Sequence, residues 1–228
     1  MKNLVIVGTS ETAERIYFFC KYYKLYNVKG FAVDEKYKTQ DEFLNLPVWS
    51  IENLEKHIDK KHCYIFVALF WNHLNGDRKR LFERLASDGY QFANIISPKA
   101  SVRGAIGVNC WIMDYAVVQE GAKIEDNVIM ADFSFVGNMT VIEKHCFLGA
   151  KSTTMGGCKI GYQTFIGTNA AIFDSTEIGN RCLIGACTII KRNIPQFSVV
   201  KIDTSNNIVK QYPEDIIESK WVAKHNVR

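Results

Sequence analysis

Counting in sixes from Ile106 to Ile190 lands on an aliphatic side chain or Met at fourteen of fifteen steps; the exception is Thr154. Two residues before each step the side chain is small, as at Cys110, Ala116, Ala122, Ser134, Thr140 and Cys146. The residue after the step is Gly at 107, 137, 149, 161, 167, 179 and 185. Three columns in register over this length define a solenoid whose units bury their apolar faces only against their neighbours. Six is not a multiple of the helical 3.6, but it is a multiple of two, so the aliphatic column stays on one face of successive strands. The reading is a parallel β-helix. The large residue fills the centre, the small one fits where the core narrows, and Gly is expected to permit tight backbone at the corners.

The pattern Ile-Gly-x-x-small-x, seen at Ile160-Gly161 and Ile166-Gly167, resembles that of the hexapeptide-repeat acyltransferases. The resemblance implies a left-handed parallel β-helix with three sides and about five turns, each rising roughly 4.8 Å.

The chain has 228 residues, which allows one or two domains with real cores. A net charge of +4 is too mild to indicate nucleic acid as a partner. The N-terminal apolar run, Leu4 to Val7, is too short for a signal peptide or a membrane span, so a cytoplasmic location is the expectation. Seven cysteines occur without a CxxC, and four of them fall in the small column; they read as core residues, with no metal site expected.

Residues 3–7 have the continuous apolar character of a strand buried on both faces. Gly8-Thr9-Ser10 then leads into a helical pattern from about 11 to 23, with Ser10 as N-cap. Strands follow at 28–33 and 63–69, helices at about 50–58 and 76–87, and a short strand at 91–96 before Ser97-Pro98 opens the solenoid. Alternating strands and helices make a small Rossmann-like α/β unit over 1–96. The β-helix is expected over 97–200, and an extension over 201–228 carries a short helix starting at Pro213. A strand–turn–helix with Gly in the turn suits a phosphate at the helix N-terminus. Gly8, Thr9 and Ser10 are therefore substrate-binding candidates, with Asp34 at the tip of the second strand placed to meet a ribose or base. The full G-x-G-x-x-G is absent, and Glu11 would repel a phosphate if it faced the turn.

An α/β unit followed by a hexapeptide solenoid, joined through Phe66…Asn75…Arg78…Ile96-Ser97-Pro98, resembles the bacterial nucleotide-linked amino-sugar acetyltransferases and their sialic-acid O-acetyltransferase-like relatives. The resemblance spans essentially the whole chain. It implies a homotrimer in which the N-terminal unit holds a nucleotide-linked amino sugar and acetyl-CoA lies in a groove between two solenoids. Residues brought to the cofactor groove by this resemblance are Phe147, Gly156, Gly167, Thr168, Gly185, Ala186 and Lys191. The family's catalytic His, aligned without gaps through Cys158-Lys159-Ile160-Gly161, falls on Asn138; its acidic partner falls on Met139, and a second His on Phe147. Asn takes no proton at neutral pH, so the usual general base is absent. Candidate replacements are His145, one side further round the prism, Asp132, one side earlier, and His73 in the N-terminal unit. A fourth route uses no base and relies on positioning and oxyanion donors.

The function the resemblance implies is transfer of acetyl from acetyl-CoA to the amino group of a nucleotide-linked deoxyamino sugar for lipopolysaccharide, O-antigen or capsule synthesis. Two alternatives stay open: sugar O-acylation, and a silent homologue retained for binding or assembly. The sugar, its nucleotide and the acyl chain are not legible.

Overall fold

The computed structural model describes residues 1–202. The predicted C-terminal helix lies outside the described residues. The N-terminal unit runs β1 (Asn3–Val7), α1 (Glu11–Tyr22), β2 (Asn27–Val33), β3 (Glu42–Phe43), β4 (Leu46–Ser50), β5 (Cys63–Val67) and α2 (Asn72–Ser87). Its sheet has the order β3-β4-β2-β1-β5, parallel except for the β3–β4 hairpin. Sequence reading missed that hairpin. Its two-residue loop, Leu44-Asn45, has φ of 52° and 60°, the double left-handed geometry that hairpin twist favours. The helix expected at 50–58 is a short 3-10 stretch, Ile51–Lys56.

α2 begins unusually. His73, Leu74 and Asn75 have φ of 50°, 54° and 61°, so the right-handed helix starts at Gly76, where the sequence pattern puts it. Each such non-glycine residue costs about 1 kcal/mol or more, so tertiary contacts must hold the turn.

The segment 91–96 is divided between the two halves. Phe92 bridges to Ile65 on β5, whereas Ile95–Ile96 pairs with Trp111–Ile112 in the solenoid. The solenoid has three faces of stacked two-residue parallel strands, with seven, six and five strands. Trp111, Ile129, Phe147 and Phe165 lie on the first face, Val117, Phe135 and Thr153 on the second, and Lys123, Val141 and Lys159 on the third. Partners are eighteen residues apart, as in Val117↔Phe135. The aliphatic column fills the centre, from Ile112 to Ile190. Each fully buried Ile or Leu contributes about 1.5–3 kcal/mol over an exposed one. Thr154 is tolerated there because its hydroxyl donates to the Phe135 carbonyl at 3.3 Å.

The structure relocates the role of the glycine column. Left-handed φ falls three residues after each core step, on Asn109, Phe133, Met139, His145 and others, not on the Gly immediately after it. That Gly is needed because the next coil passes over it. A Cβ on Gly137 would lie 2.5 Å from the Met155 carbonyl carbon, and one on Gly167 2.4 Å from the Ala186 nitrogen.

The α1 side of the N-terminal sheet packs on the first face. Ala13, Ile16 and Phe66 share a core with Trp111, Ile129 and Phe147. The solenoid corners therefore differ in their surroundings. The first corner, between the first and second faces, carries Asp132. The second, between the second and third faces, carries Asn138. The third, returning to the first face, carries His145 and lies beneath α2.

Candidate active site

The four candidate substrate residues converge. Gly8, Thr9, Ser10 and Asp34 line one cavity of about 320 Å³ at the carboxyl end of β1 and β2, with Tyr37 and Leu69. This is where a parallel sheet offers a ligand crevice. Gly8 has φ of 131°, a conformation that L side chains rarely adopt, and a Cβ there would stand 3.2 Å from the Ala68 carbonyl oxygen. Ser10 is the N-cap of α1, but its hydroxyl makes no capping bond. A second cavity of about 590 Å³ shares Asp34, Tyr37 and Leu69 and adds Lys36, Arg80 and Arg84. Arg84 pairs with Asp34, Arg80 with Asp77, and His73 Nδ1 stands 2.8 Å from Asp77 Oδ2. With both arginines matched by carboxylates, Lys36 is the cation of this cavity outside an ion pair among the described residues.

The three catalytic candidates occupy three different corners and do not meet within one chain. Asn138 is exposed on the second corner, with Met139 beside it. Its backbone N–H donates to Gln119 Oε1 at 3.0 Å, and its carbonyl accepts from Gly157 N at 2.9 Å. Among the described residues its side-chain amide has no partner. Its Oδ1 leans over Gly156, where a Cβ would stand only 2.6 Å away. Asp174, which sequence reading passed over, approaches Gly156 from the next coil and accepts its N–H at 3.0 Å. The signal was available: Asn138, Gly156 and Asp174 follow one another at eighteen-residue steps. Lys191 is on the same corner, its Nζ 5.3 Å from the Phe173 ring centre.

Asp132 is on the first corner, where its Oδ1 accepts the Asp114 N–H at 3.2 Å. Gly167, Thr168, Gly185 and Ala186 follow on the same corner in later coils. Phe147 lies apart from these, on the first face. It stacks on Phe165 at 4.8 Å and meets Phe70 edge-on at 5.2 Å, inside the apolar junction.

His145 is buried on the third corner at 3 % exposure, the third rung of a polar ladder. The Val67 backbone N–H donates to Asn109 Oδ1 at 2.9 Å. Asn109 Nδ2 then donates to Asn127 Oδ1 at 2.7 Å, and Asn127 Nδ2 stands 2.8 Å from His145 Nδ1. A backbone N–H can only donate, so it orients both amides and leaves Nδ1 as acceptor; the imidazole proton is on Nε2. Nε2 is 3.7 Å from Glu83, beyond hydrogen-bond reach. Burial, and then the charges of Lys79, Lys144 and Arg78, push the imidazole down to about 4. The His is neutral at pH 7.

Arg78 and Asn75 lock this ladder to the N-terminal unit. Arg78 is fully buried and donates to the carbonyls of Val67 and of Asn109, the latter at 2.7 Å. Burial lowers its pKa to about 9. Asn75 Nδ2 donates to the His145 carbonyl at 2.7 Å, which accounts for the left-handed turn that delivers it.

Against known proteins, the profile described as hexapeptide repeat of succinyl-transferase matches residues 139–162 and 157–192. A 2,3,4,5-tetrahydropyridine-2,6-dicarboxylate N-succinyltransferase from Chelativorans sp. (strain BNC1) is 29% identical over 107 residues, covering 43% of this chain and 37% of that protein. The carnitine operon protein CaiE of Proteus sp. (strain LE138) is 26% identical over 96 residues, covering 42% of this chain and 44% of the relative. The chain thus spans less than half the length of these relatives. Solved structures match over much more. The acetyltransferase domain of PglB from Neisseria gonorrhoeae FA1090 aligns with a TM-score of 0.75 at 23% identity, covering 87% of this chain and 96% of that one. It has also been solved with acetyl coenzyme A. PerB from Caulobacter crescentus, solved with CoA and GDP-perosamine, aligns with a TM-score of 0.75 at 21% identity, covering 87% and 93%. These likenesses show the fold of the solenoid, a hexapeptide-repeat parallel β-helix. Among the described residues no helix is long and apolar enough to cross a membrane.

Proposed function

We propose that this protein transfers acetyl from acetyl-CoA to the amino group of a nucleotide-linked deoxyamino sugar, without a histidine base. The observation that carries the reading is the pairing of a crevice at Gly8, Thr9, Ser10 and Asp34 with an open solenoid corner at Asn138. PerB, a protein of the same fold, has been solved with CoA and GDP-perosamine, which supports this reading. The crevice binds the nucleotide. Asn138 Oδ1, free of internal partners, accepts an N–H of the incoming amine and aims its lone pair at the thioester. The amine sheds its proton to water, and the thiolate leaves as CoA. A His→Asn mutant of perosamine N-acetyltransferase holds both CoA and GDP-perosamine, so an asparagine is compatible with such ligands in that protein.

The working unit is a homotrimer. The cofactor candidates fall on two corners, with Gly156 and Lys191 on the second and Gly167, Thr168, Gly185 and Ala186 on the first. The second face between them presents Val117, Phe135, Ala171 and a 64 % exposed Ile189. A second copy of the chain seated there brings a first corner beside a second corner and forms the groove for CoA. The expected location is the cytoplasm, where acetyl-CoA and nucleotide sugars are made.

The test is thiol release from acetyl-CoA with nucleotide-linked amino sugars, in the wild type and in Asn138→Ala. Turnover is expected with an amine acceptor and none with its hydroxyl analogue, with a loss of about tenfold or more in kcat for the variant. Turnover of the hydroxyl analogue instead would establish O-acylation, and none with either acceptor would leave a binding role.

A further inference from the structure

The crevice at the carboxyl end of the N-terminal sheet is two cavities joined at a waist. The inner one, about 320 Å³, reaches from the Gly8–Ser10 turn to Ile51. The outer one, about 590 Å³, lies against α2. Asp34, Tyr37, Leu69 and Leu81 line both. Asp34 and Tyr37 follow β2, Leu69 follows β5, and Leu81 belongs to α2.

Tyr37 is the odd member of the four. It is 63 % exposed, a large flat ring left open at the waist of an apolar slot. Its backbone is pinned. It ends a 3-10 turn, Glu35–Tyr37, in which its N–H donates to the Asp34 carbonyl at 2.8 Å and the Lys38 N–H to the Glu35 carbonyl at 3.0 Å. Glu52 holds this turn from the neighbouring segment: its Oε2 accepts the Glu35 N–H at 3.0 Å and Ser50 Oγ at 2.5 Å. Only two side-chain torsions of Tyr37 remain for a ligand to order, so a stacking partner loses little to entropy. Lys36 Nζ stands 4.7 Å from the ring centre, on an exposed and flexible side chain.

An exposed tyrosine is ordinary by itself; the two cavities narrow what can lie on this one. In the outer cavity Arg84 is paired with Asp34, Arg80 with Asp77, and His73 Nδ1 meets Asp77 Oδ2 at 2.8 Å. Lys36 is left outside an ion pair among the described residues. A lining whose charges are already matched gains little from an anion. It offers hydrogen-bonding edges around an apolar centre, which suits a neutral, flat, polar-edged molecule. The inner cavity has one charged lining residue among the described residues, Asp34, and its polar end is the turn, where the Ser10 hydroxyl makes no capping bond. Glu11 lines the cleft on the other side of α1 and not this cavity, so it does not oppose an anion at the turn.

We propose that Tyr37 is the platform on which the base of the nucleotide stacks, with Leu69 and Leu81 completing the slot. The ligand then runs outward, from phosphates at the Gly8–Ser10 turn, through a ribose beside Asp34, to a base at the waist whose edge is turned to His73, Asp77 and Arg80. Tyr37 thereby adds a base-binding residue to the crevice of the proposed transferase, on which reading the inference rests. Stacking on an aromatic ring is tolerant of base identity, so Tyr37 sets affinity for the base as such, and the polar edge sets which base is preferred.

The experiment is calorimetric titration of the full chain and of its Tyr37→Phe and Tyr37→Ala variants. The probes are UDP, GDP, CDP and ADP, with ribose 5-phosphate as the base-free reference. At least one nucleotide is expected to bind the wild type about tenfold or more tightly than ribose 5-phosphate. Tyr37→Phe, which keeps the ring, should hold that nucleotide within about twofold, whereas Tyr37→Ala should weaken it about tenfold or more and leave ribose 5-phosphate within about twofold. Nucleotide affinity unchanged in Tyr37→Ala, Tyr37→Phe as weak as Tyr37→Ala, or an equal loss for ribose 5-phosphate overturns the stacking assignment and leaves the transferase reading intact. Binding of no nucleotide by the wild type overturns both.

Discussion

The second and third corners of the solenoid share one backbone and have opposite fates. At both, the chain turns through a left-handed residue three positions after the core step. On the third corner Asn109, Asn127, His145 and Gln163 are buried in the coils that α2 and the end of β5 cover, while Arg181, one coil further on, is exposed. On the second, Met139 at the same position is 68 % exposed, and its neighbour Asn138 keeps a side-chain amide free. The only solenoid histidine among the described residues therefore sits where it cannot act on a substrate. The residue facing outward at the expected chemical position cannot take a proton. A repeat fixes geometry; what packs on it decides whether a polar side chain is scaffold or reagent.

The contrast can be broken by mutation. The largest effect is expected at Arg78. Arg78→Ala removes a buried cation that satisfies the Val67 and Asn109 carbonyls and should cost about 3 kcal/mol or more. Urea unfolding checks this, with Lys191→Ala, an exposed second-corner cation, expected to stay within about 0.5 kcal/mol. Equal effects at the two sites would erase the distinction between the corners.

His145 sharpens it through pH. Its folded-state pKa, about 4, is below its ordinary value of 6.5, so below 6.5 the unfolded chain takes up a proton that the folded one refuses. Its stabilising contribution is present above about pH 6.5 and is lost as pH falls toward 4, by up to about 3 kcal/mol. Protonation would also remove the lone pair that accepts from Asn127. In His145→Asn, a residue that tolerates the left-handed turn, this part of the acid sensitivity should vanish. Unfolding curves across pH 4–7 measure it. An unchanged pH slope in the variant would contradict the ladder.

A smaller effect is expected on the second corner. Gly156→Ala places a methyl against Asn138 Oδ1, and the flexible amide must swing away. Stability should change by less than about 0.5 kcal/mol while kcat falls roughly threefold to tenfold. A variant with full activity would remove Asn138 from the chemistry.

Much of this molecule is legible in its sequence, for identifiable reasons. The six-residue columns and their phase are visible because each coil repeats the same burial. The start of α2 at Gly76 is visible in its amphipathic pattern. The Gly8–Ser10 turn and Asp34 read as one crevice because they follow adjacent strands. The covered corner is not legible, since a six-residue period treats all three alike. Asn109, Asn127 and His145 stand eighteen residues apart in plain view, yet nothing local says that Val67 and Arg78 will close over them. The β3–β4 hairpin escaped because Leu44-Asn45 lacks the usual glycine. The glycine column was seen for the right positions and the wrong cause, because close approach between coils is a property of the stack and not of the turn.

If acyl transfer proceeds at Asn138 without a protein base, the pH dependence of kcat/KM for thiol release carries only the titration of the acceptor amine. The wild-type rate should climb about tenfold per pH unit up to the acceptor amine's own pKa. Asn138→His should add activity that switches on near the ordinary imidazole value of about 6.5. A wild-type profile that levels off near neutrality, with Asn138→His unchanged from it, would reveal an enzymatic base elsewhere in the protein and remove Asn138 from the chemistry.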